Sequence, residues 1–176
     1  DLHSFPTRRS SDLHIDALLV LVPRHPNRFD RVREWLSAQG ASYVARSAEA
    51  AVTADTSVLL VDTLGELLMF YAAADVAFVG GSLVPIGGHN LLEPAALGLP
   101  ILTGPNNFNA PDIARLLFDS HAAQEVRSAE TLAPAILDLY THPENRSEMG
   151  RAALAIVEAN RGAVARVMKL IEPLIR

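Results

Sequence analysis

The chain has no cysteine among its 176 residues, which excludes disulfides and thiolate-held zinc or iron–sulfur centres. It has no basic excess either. Fifteen Lys and Arg stand against 20 Asp and Glu, a formal net charge of −5, whereas a general nucleic-acid binder carries clustered positive charge. Long hydrophobic runs are also missing: "ALLVLVP" and "SVLLV" fall far short of the roughly 20 residues that a membrane helix needs. Several catalytic and cofactor signatures are absent as well. No G-x-G-x-x-G opens the first helix and no G-x-x-x-x-G-K-[ST], H-E-x-x-H or G-x-S-x-G occurs. A dinucleotide fingerprint, a P-loop, a zincin helix and a nucleophile elbow are thereby excluded, and metal catalysis has no visible support.

What remains is globular. Hydrophobic residues make up 49% and charged residues 20%, a balance that builds a core rather than a disordered tract. The length suits one domain of ordinary size. Residues 1–13, "DLHSFPTRRSSDL", are polar and aperiodic; they resemble the conceptual translation of a sequencing-adapter oligonucleotide. They are set apart as a non-native leader, and residues 14–176 are read as the domain.

From His14 onward, short apolar runs alternate with helical periods. "IDALLVLVP" (Ile15–Pro23) predicts a strand buried on both faces. "NRFDRVREWLSAQG" predicts a helix capped by Asn27, with Phe29, Val32, Trp35 and Leu36 on one face and Gly40 as its stop. Strands are expected over Ser42–Arg46, Ser57–Asp62, Asp75–Gly80, "PILTG" and Ala123–Val126. Helices are expected over Gly65–Ala74, Leu91–Leu97 and "APDIARLLFD", followed by a helical tail from Ala129 broken near "THPEN". This alternation defines an α/β fold with a Rossmann-like, doubly wound parallel sheet. In such sheets ligands bind at the carboxyl ends of strands.

Three loops after strands are richer than connection requires. Arg24 and His25 stand between two prolines in "PRHPNRF", and an arginine fork suits phosphate or carboxylate; a surface salt bridge is the plainer role. In "VDTLGEL", Thr63 and Glu66 have the spacing of a capping box, while the backbone of the same turn, with Leu64 and Gly65, can meet an anion or a base edge. The third loop, "GGSLVPIGGHNLLEP", holds Gly80, Gly81, Ser82, Gly87, Gly88, His89, Asn90 and Glu93. Its glycines let a ligand approach backbone, and the start of the following helix offers N–H groups to a phosphate. "NLLE" also has capping-box spacing; Glu93 otherwise points into the crevice towards sugar hydroxyls. A phosphate-type ligand site and a structural turn both fit this spacing.

"PRHPNRF", "VDTLGELLMFYAAADVAFVGGSL", "GGHNLLEPAALGLPILTGP" and the "NF" before a helix resemble the C-terminal half of the bacterial 3-deoxy-D-manno-octulosonic acid (Kdo) transferases, over about Ile15–Arg176. Leu64 departs from the usual methionine, and Ile86 stands where a charge is frequent. The resemblance implies a GT-B glycosyltransferase that transfers Kdo from CMP-Kdo to a lipid A precursor at the cytoplasmic face of the inner membrane. The missing N-terminal domain would carry the acceptor and the general base, so no catalytic residue is assigned here. It implies that Arg24, with His25 beside it, meets the donor's phosphate or carboxylate, and that Thr63, Leu64 and Gly65 line the cytosine. Gly80, Gly81, Gly88, His89 and Asn90 would surround the phosphate, with Glu93 on the ribose; Glu66, Ser82 and Gly87 complete the expected substrate-binding set. No cofactor, metal or nucleic-acid partner is expected. The basic C-terminal residues Arg146, Arg151, Arg161, Arg166, Lys169 and Arg176 suit solvated helix faces whose Leu154, Val157, Val164 and Leu170 pack inward, or peripheral membrane contact. A UDP-sugar enzyme of the same architecture, transferase or epimerase, and a non-catalytic binding fragment are the rival readings.

Overall fold

A computed structural model describes residues 15–162, 167–169 and 171–172; the leader, Val164, Arg166, Leu170 and Arg176 lie outside them. The chain divides into two compact units, one ending at Ala73 and the other beginning at Ala74. The α/β class expected from the sequence holds in both, with the six strands of the described residues shared equally between two parallel sheets.

In the first unit the order is β1 (Leu19–Leu21), α1 (Phe29–Ala38), β2 (Tyr43–Ala45), β3 (Val58–Leu60) and α2 (Leu67–Ala73), and the sheet runs β1-β3-β2. The register places Leu19 and Tyr43 on either side of Val58. Val32 and Leu36 of α1 bury against Val58 and Leu60, with Leu21, Trp35 and Tyr43 partly buried around them. Gly40 stops α1 with φ of 65°, a left-handed conformation that glycine adopts without steric penalty. Two expectations fail. β1 is not buried on both faces: it is an edge strand of its sheet, Leu19 is 48% exposed, and only Leu21 reaches the core. Asn27 does not cap α1, because Pro26 opens a short 3-10 turn over Pro26–Arg28 and leaves Arg28 in the capping position; proline's fixed φ favours this early start.

The second unit contains β4 (Ala77–Val79), α3 (Leu92–Ala96), β5 (Ile101–Thr103), α4 (Pro111–Asp119), β6 (Ala123–Glu125), α5 (Ala129–Thr141) and α6 (Pro143–Asn160), with sheet order β4-β5-β6. Successive strand residues face opposite sides, and central β5 shows the consequence. Ile101 enters a cluster with Ala114, Leu117, Ala153 and Ile156. Leu102 enters another with Leu132, Ala135 and Leu139. Helices α4 and α6 therefore cover one face and α5 the other, the doubly wound arrangement. Each fully buried leucine contributes about 1.5–3 kcal/mol. Helix α3 is shorter than the expected Leu91–Leu97. The tail breaks at His142 as expected. On α6 the buried residues are Gly150, Ala153 and Ile156, while Leu154 and Val157 are only partly buried.

Candidate functional site

Parallel pairing brings the loops after β1, β2 and β3 to one edge of the first sheet. Arg24 and His25 emerge there on exposed backbone, and the His25 carbonyl accepts the Arg28 N–H at 3.0 Å. The loop after β3 is tied down at both ends. At its start, the Asp62 carboxylate has no exposed side-chain surface. It accepts the Ser47 N–H at 2.8 Å, the Ser47 hydroxyl at 2.6 Å and a guanidinium N–H of Arg33. Burial pushes this carboxyl up, but the two Ser47 bonds and the Arg33 bond outweigh it and hold the group below its ordinary value. At the far end, Glu66 takes the Thr63 hydroxyl on one carboxylate oxygen and Arg46 on the other at 3.0 Å. The Thr63 bond and the Arg46 charge lower its pKa, with burial opposing them.

This geometry corrects the capping box. The Thr63 hydroxyl meets the Glu66 side chain, and α2 begins only at Leu67, so the pair staples a turn instead of capping a helix. It also occupies Glu66. Between the anchors, Leu64 is 69% exposed and Gly65 has φ of 85° with open space where a side chain would stand. Leu64 and Gly65 are the part of this turn presented outward. Sequence reasoning missed Arg33, Arg46, Ser47 and Asp62, which lie up to 29 residues apart in the chain and share no local spacing.

Asp62→Asn tests the first anchor. The group's folded pKa is depressed, so its contribution is present above the unfolded value near 3.8 and is lost as pH falls through the folded one. Urea unfolding of the variant at pH 7 is expected to show a loss of about 1.5–3 kcal/mol, the usual cost of a hydrogen bond to a charged group. The gap between variant and parent should begin to narrow below the unfolded value and close only as pH falls through the depressed folded one, where the carboxyl becomes neutral like the amide. A gap unchanged at acid pH would mean that Asp62 acts by shape alone.

At the corresponding edge of the second sheet, the loop after β4 lies on the loop after β5. Ser82 is fully buried; its hydroxyl donates to the Val79 carbonyl and accepts the Gly104 N–H, both at 2.8 Å. Its carbonyl accepts the backbone and side-chain N–H groups of Asn106 at 2.9 Å. The Gly88 N–H donates to the Gly81 carbonyl at 2.9 Å and closes the glycine loop.

The glycines themselves differ from expectation. A Cβ at Gly81 would stand 3.0 Å from the His89 ring, one at Gly87 2.5 Å from the Asn109 amide, and one at Gly88 2.5 Å from Asn107 Oδ1. The room these three residues leave is filled by His89, Asn109 and Asn107. Gly80 alone among the loop's glycines meets nothing within 4 Å. The other capping box fails too. Asn90 Oδ1 accepts the Leu92 N–H at 3.0 Å, and Asn90 Nδ2 donates to Glu93 Oε1 at 3.1 Å, so the pair joins through side chains with Leu91 in the capping position. Glu93 is half-buried, with Oε2 uncommitted among the described residues. Helix α3 has five residues, little more than one turn; it aligns few peptide dipoles, and the strong helix end expected from the sequence is not there. Asn106, Asn107 and Asn109 were missed. Their signal is the run "GPNNFN" directly after a buried strand.

An open groove beside α4, lined by Asn106, Phe108, Arg115 and Phe118, holds none of the residues expected from the sequence. Among the described residues no cluster of three His, Asp or Glu side chains is placed to hold a metal ion, and no helix is long and apolar enough to cross a membrane.

Parallel strands, helices on both faces of the second sheet and polar loops gathered at the carboxyl edges define an α/β domain of the kind found at the C-terminal end of GT-B glycosyltransferases. A crystal structure described as the C-terminal CMP-Kdo binding domain of WaaA from Acinetobacter baumannii matches with a TM-score of 0.77 and 36% identity, over 80% of this chain and 73% of that one. The 3-deoxy-D-manno-octulosonic acid transferase of Haemophilus influenzae is 42% identical over 157 residues, 89% of this chain. That of Bordetella pertussis is 43% identical over 156 residues, 88% of the chain. The chain belongs to the 3-deoxy-D-manno-octulosonic acid transferase family. It spans 37% and 36% of the length of those two relatives. No family model matches it.

Proposed function

We propose that this chain is the donor-binding part of a Kdo transferase and takes CMP-Kdo as its ligand. The observation that carries the reading is the match, at 36% identity and a TM-score of 0.77, to a domain described as binding CMP-Kdo. In the first unit, the outward backbone of Leu64 and Gly65, next to Thr63, offers hydrogen-bonding groups to a base edge, and Glu66 fixes that turn. Arg24 and His25 supply a cationic fork and an imidazole for phosphate or carboxylate. In the second unit, Gly80 leaves space for ligand, the glycine loop presents backbone N–H groups to phosphate, and the free Glu93 oxygen accepts from ribose hydroxyls.

The proposed chemistry is an inverting displacement at the Kdo anomeric carbon. An acceptor hydroxyl forms the new C–O bond, the bond to the CMP phosphate breaks, and the phosphate leaves as its developing charge meets preorganised donors. The acceptor, a lipid A precursor, its general base and a place at the inner membrane are assigned to the part of the protein outside this chain. The donor chemistry invokes no metal.

Titration of the chain with CMP, UMP and AMP, followed by amide chemical shifts, tests the donor reading. Selective CMP binding is expected, weakened about tenfold or more in Glu93→Ala, the scale of a lost charge-assisted hydrogen bond. Preference for UMP points to a UDP-sugar enzyme instead. A folded chain that binds no nucleotide removes the donor reading.

A further inference from the structure

We infer that Arg46 is a positioning residue for recognition of the donor's base: by holding Glu66 it fixes the turn that offers the Leu64 and Gly65 N–H groups to the cytosine edge. This rests on the donor-binding reading above. Parallel register sets Ala45 beside Leu60, so the 3-10 turn that follows β2, Arg46–Ala48, lies against the turn that follows β3. Two adjacent residues of the first turn grip the two ends of the second. Ser47 bonds the Asp62 carboxylate through its N–H at 2.8 Å and its hydroxyl at 2.6 Å. Arg46 donates to Glu66 Oε1 at 3.0 Å, and the Thr63 hydroxyl donates to Oε2.

Between those ends only Leu64 and Gly65 are exposed, and their N–H groups make no hydrogen bond with the described residues. Nothing stands within 4 Å of where a Cβ on Gly65 would be, so a base can approach its backbone closely. Cytosine presents O2 and N3 as acceptors, whereas uracil carries a hydrogen on N3. An N–H held at that edge is matched by cytosine and opposed by uracil, and two opposed donors cost binding. A turn free to rotate its peptides lets a carbonyl meet uracil and loses the discrimination. The two anchors differ in what they hold. The Asp62 side chain is fully buried and built into the fold, while the side chains of Arg46 and Glu66 are 40% and 25% exposed. A pair of that kind adds little to stability, so removing it releases the turn and leaves the sheet standing.

The test is titration of the whole chain, of Arg46→Met and of Arg46→Lys with CMP, UMP and ribose 5-phosphate, which lacks the base. Arg46→Met keeps an aliphatic stem and has no donor. It is expected to bind CMP about fivefold more weakly, the most that a pair this exposed enforces on a turn, while UMP and ribose 5-phosphate change less than about twofold. Arg46 makes a single bond to Glu66, which a lysine ammonium can replace, so Arg46→Lys should stay within about twofold of the parent for all three ligands. A ratio of CMP to UMP affinity that is unchanged in Arg46→Met overturns the inference and leaves the donor reading standing. So does an equal fall for all three ligands, or a lysine variant as impaired as the methionine variant. A parent chain that binds no CMP, or binds UMP as tightly, sinks the donor reading, and the inference falls with it.

Discussion

Gly150→Ala is expected to lower the melting temperature by about 10 °C or more, the equivalent of roughly 3 kcal/mol in a unit of this size. Gly150 lies inside α6, where alanine is normally the better residue by about 1 kcal/mol. Propensity alone therefore predicts a gain. Packing predicts the reverse. A Cβ at Gly150 would stand 2.1 Å from the Gly98 carbonyl oxygen, far inside contact distance, and the obstacle is backbone. Gly98 cannot swing aside as a side chain could, since its φ of 69° ends α3 and its N–H is bonded to Ala95. The helices must separate, exposing Ala153 and Ile156, which join Leu91 and Ala95 in one core cluster. Ser147→Ala, on the exposed side of α6, is the matched control and should be neutral or slightly stabilising. Thermal unfolding of both variants decides the matter. A stabilised Gly150→Ala would mean that α3 and α6 do not pack this closely.

Much of the fold was legible because most strands are short apolar runs, β6 with Gln124 and Glu125 being the exception, and the longer helices carry their own period. Val58–Leu60 and Ile101–Thr103 stand at the centres of their sheets, and their sequences say so: the first has no polar residue and the second only Thr103, whose buried hydroxyl is hydrogen-bonded. The edge strand β1 misled for the same reason: "ALLVLV" reads as doubly buried, but periodicity does not count neighbours. At the site, the loops were legible by composition and position. Their internal wiring was not. A glycine announces that a side chain is not tolerated, without saying what fills the space; at Gly81, Gly87 and Gly88 it is a histidine and two asparagines. Thr63 and Glu66 have the spacing of a capping box, yet Arg46, twenty residues away, helps to make them a staple. Long-range partners of this kind have no local signature.

The second large effect is expected at Gly104, where fold and proposed function meet. Gly104 has no positive φ, so alanine suits its backbone; only space forbids it. A Cβ there would lie 2.4 Å from the carbonyl carbon and oxygen of Ser82 and 2.6 Å from the Leu83 nitrogen. Relief requires the β4 and β5 loops to part. That movement breaks the Gly104–Ser82 bond at 2.8 Å and strains both Asn106 bonds to the Ser82 carbonyl. Overpacking of 1–3 kcal/mol plus about 1 kcal/mol for each broken bond gives roughly 3 kcal/mol or more. Because Ser82 anchors the loop that carries Gly87, Gly88 and His89, CMP affinity should fall in the fraction that remains folded. Gly80→Ala is the companion variant. Its backbone is equally permissive and nothing lies within 4 Å of the new methyl, so stability should change by less than about 0.5 kcal/mol. If ligand occupies that open space, CMP binding weakens there without any loss of stability. Urea unfolding and CMP titration of the two variants thus separate a glycine that the fold requires from one that the ligand requires. Equal stability losses at both positions would contradict this division.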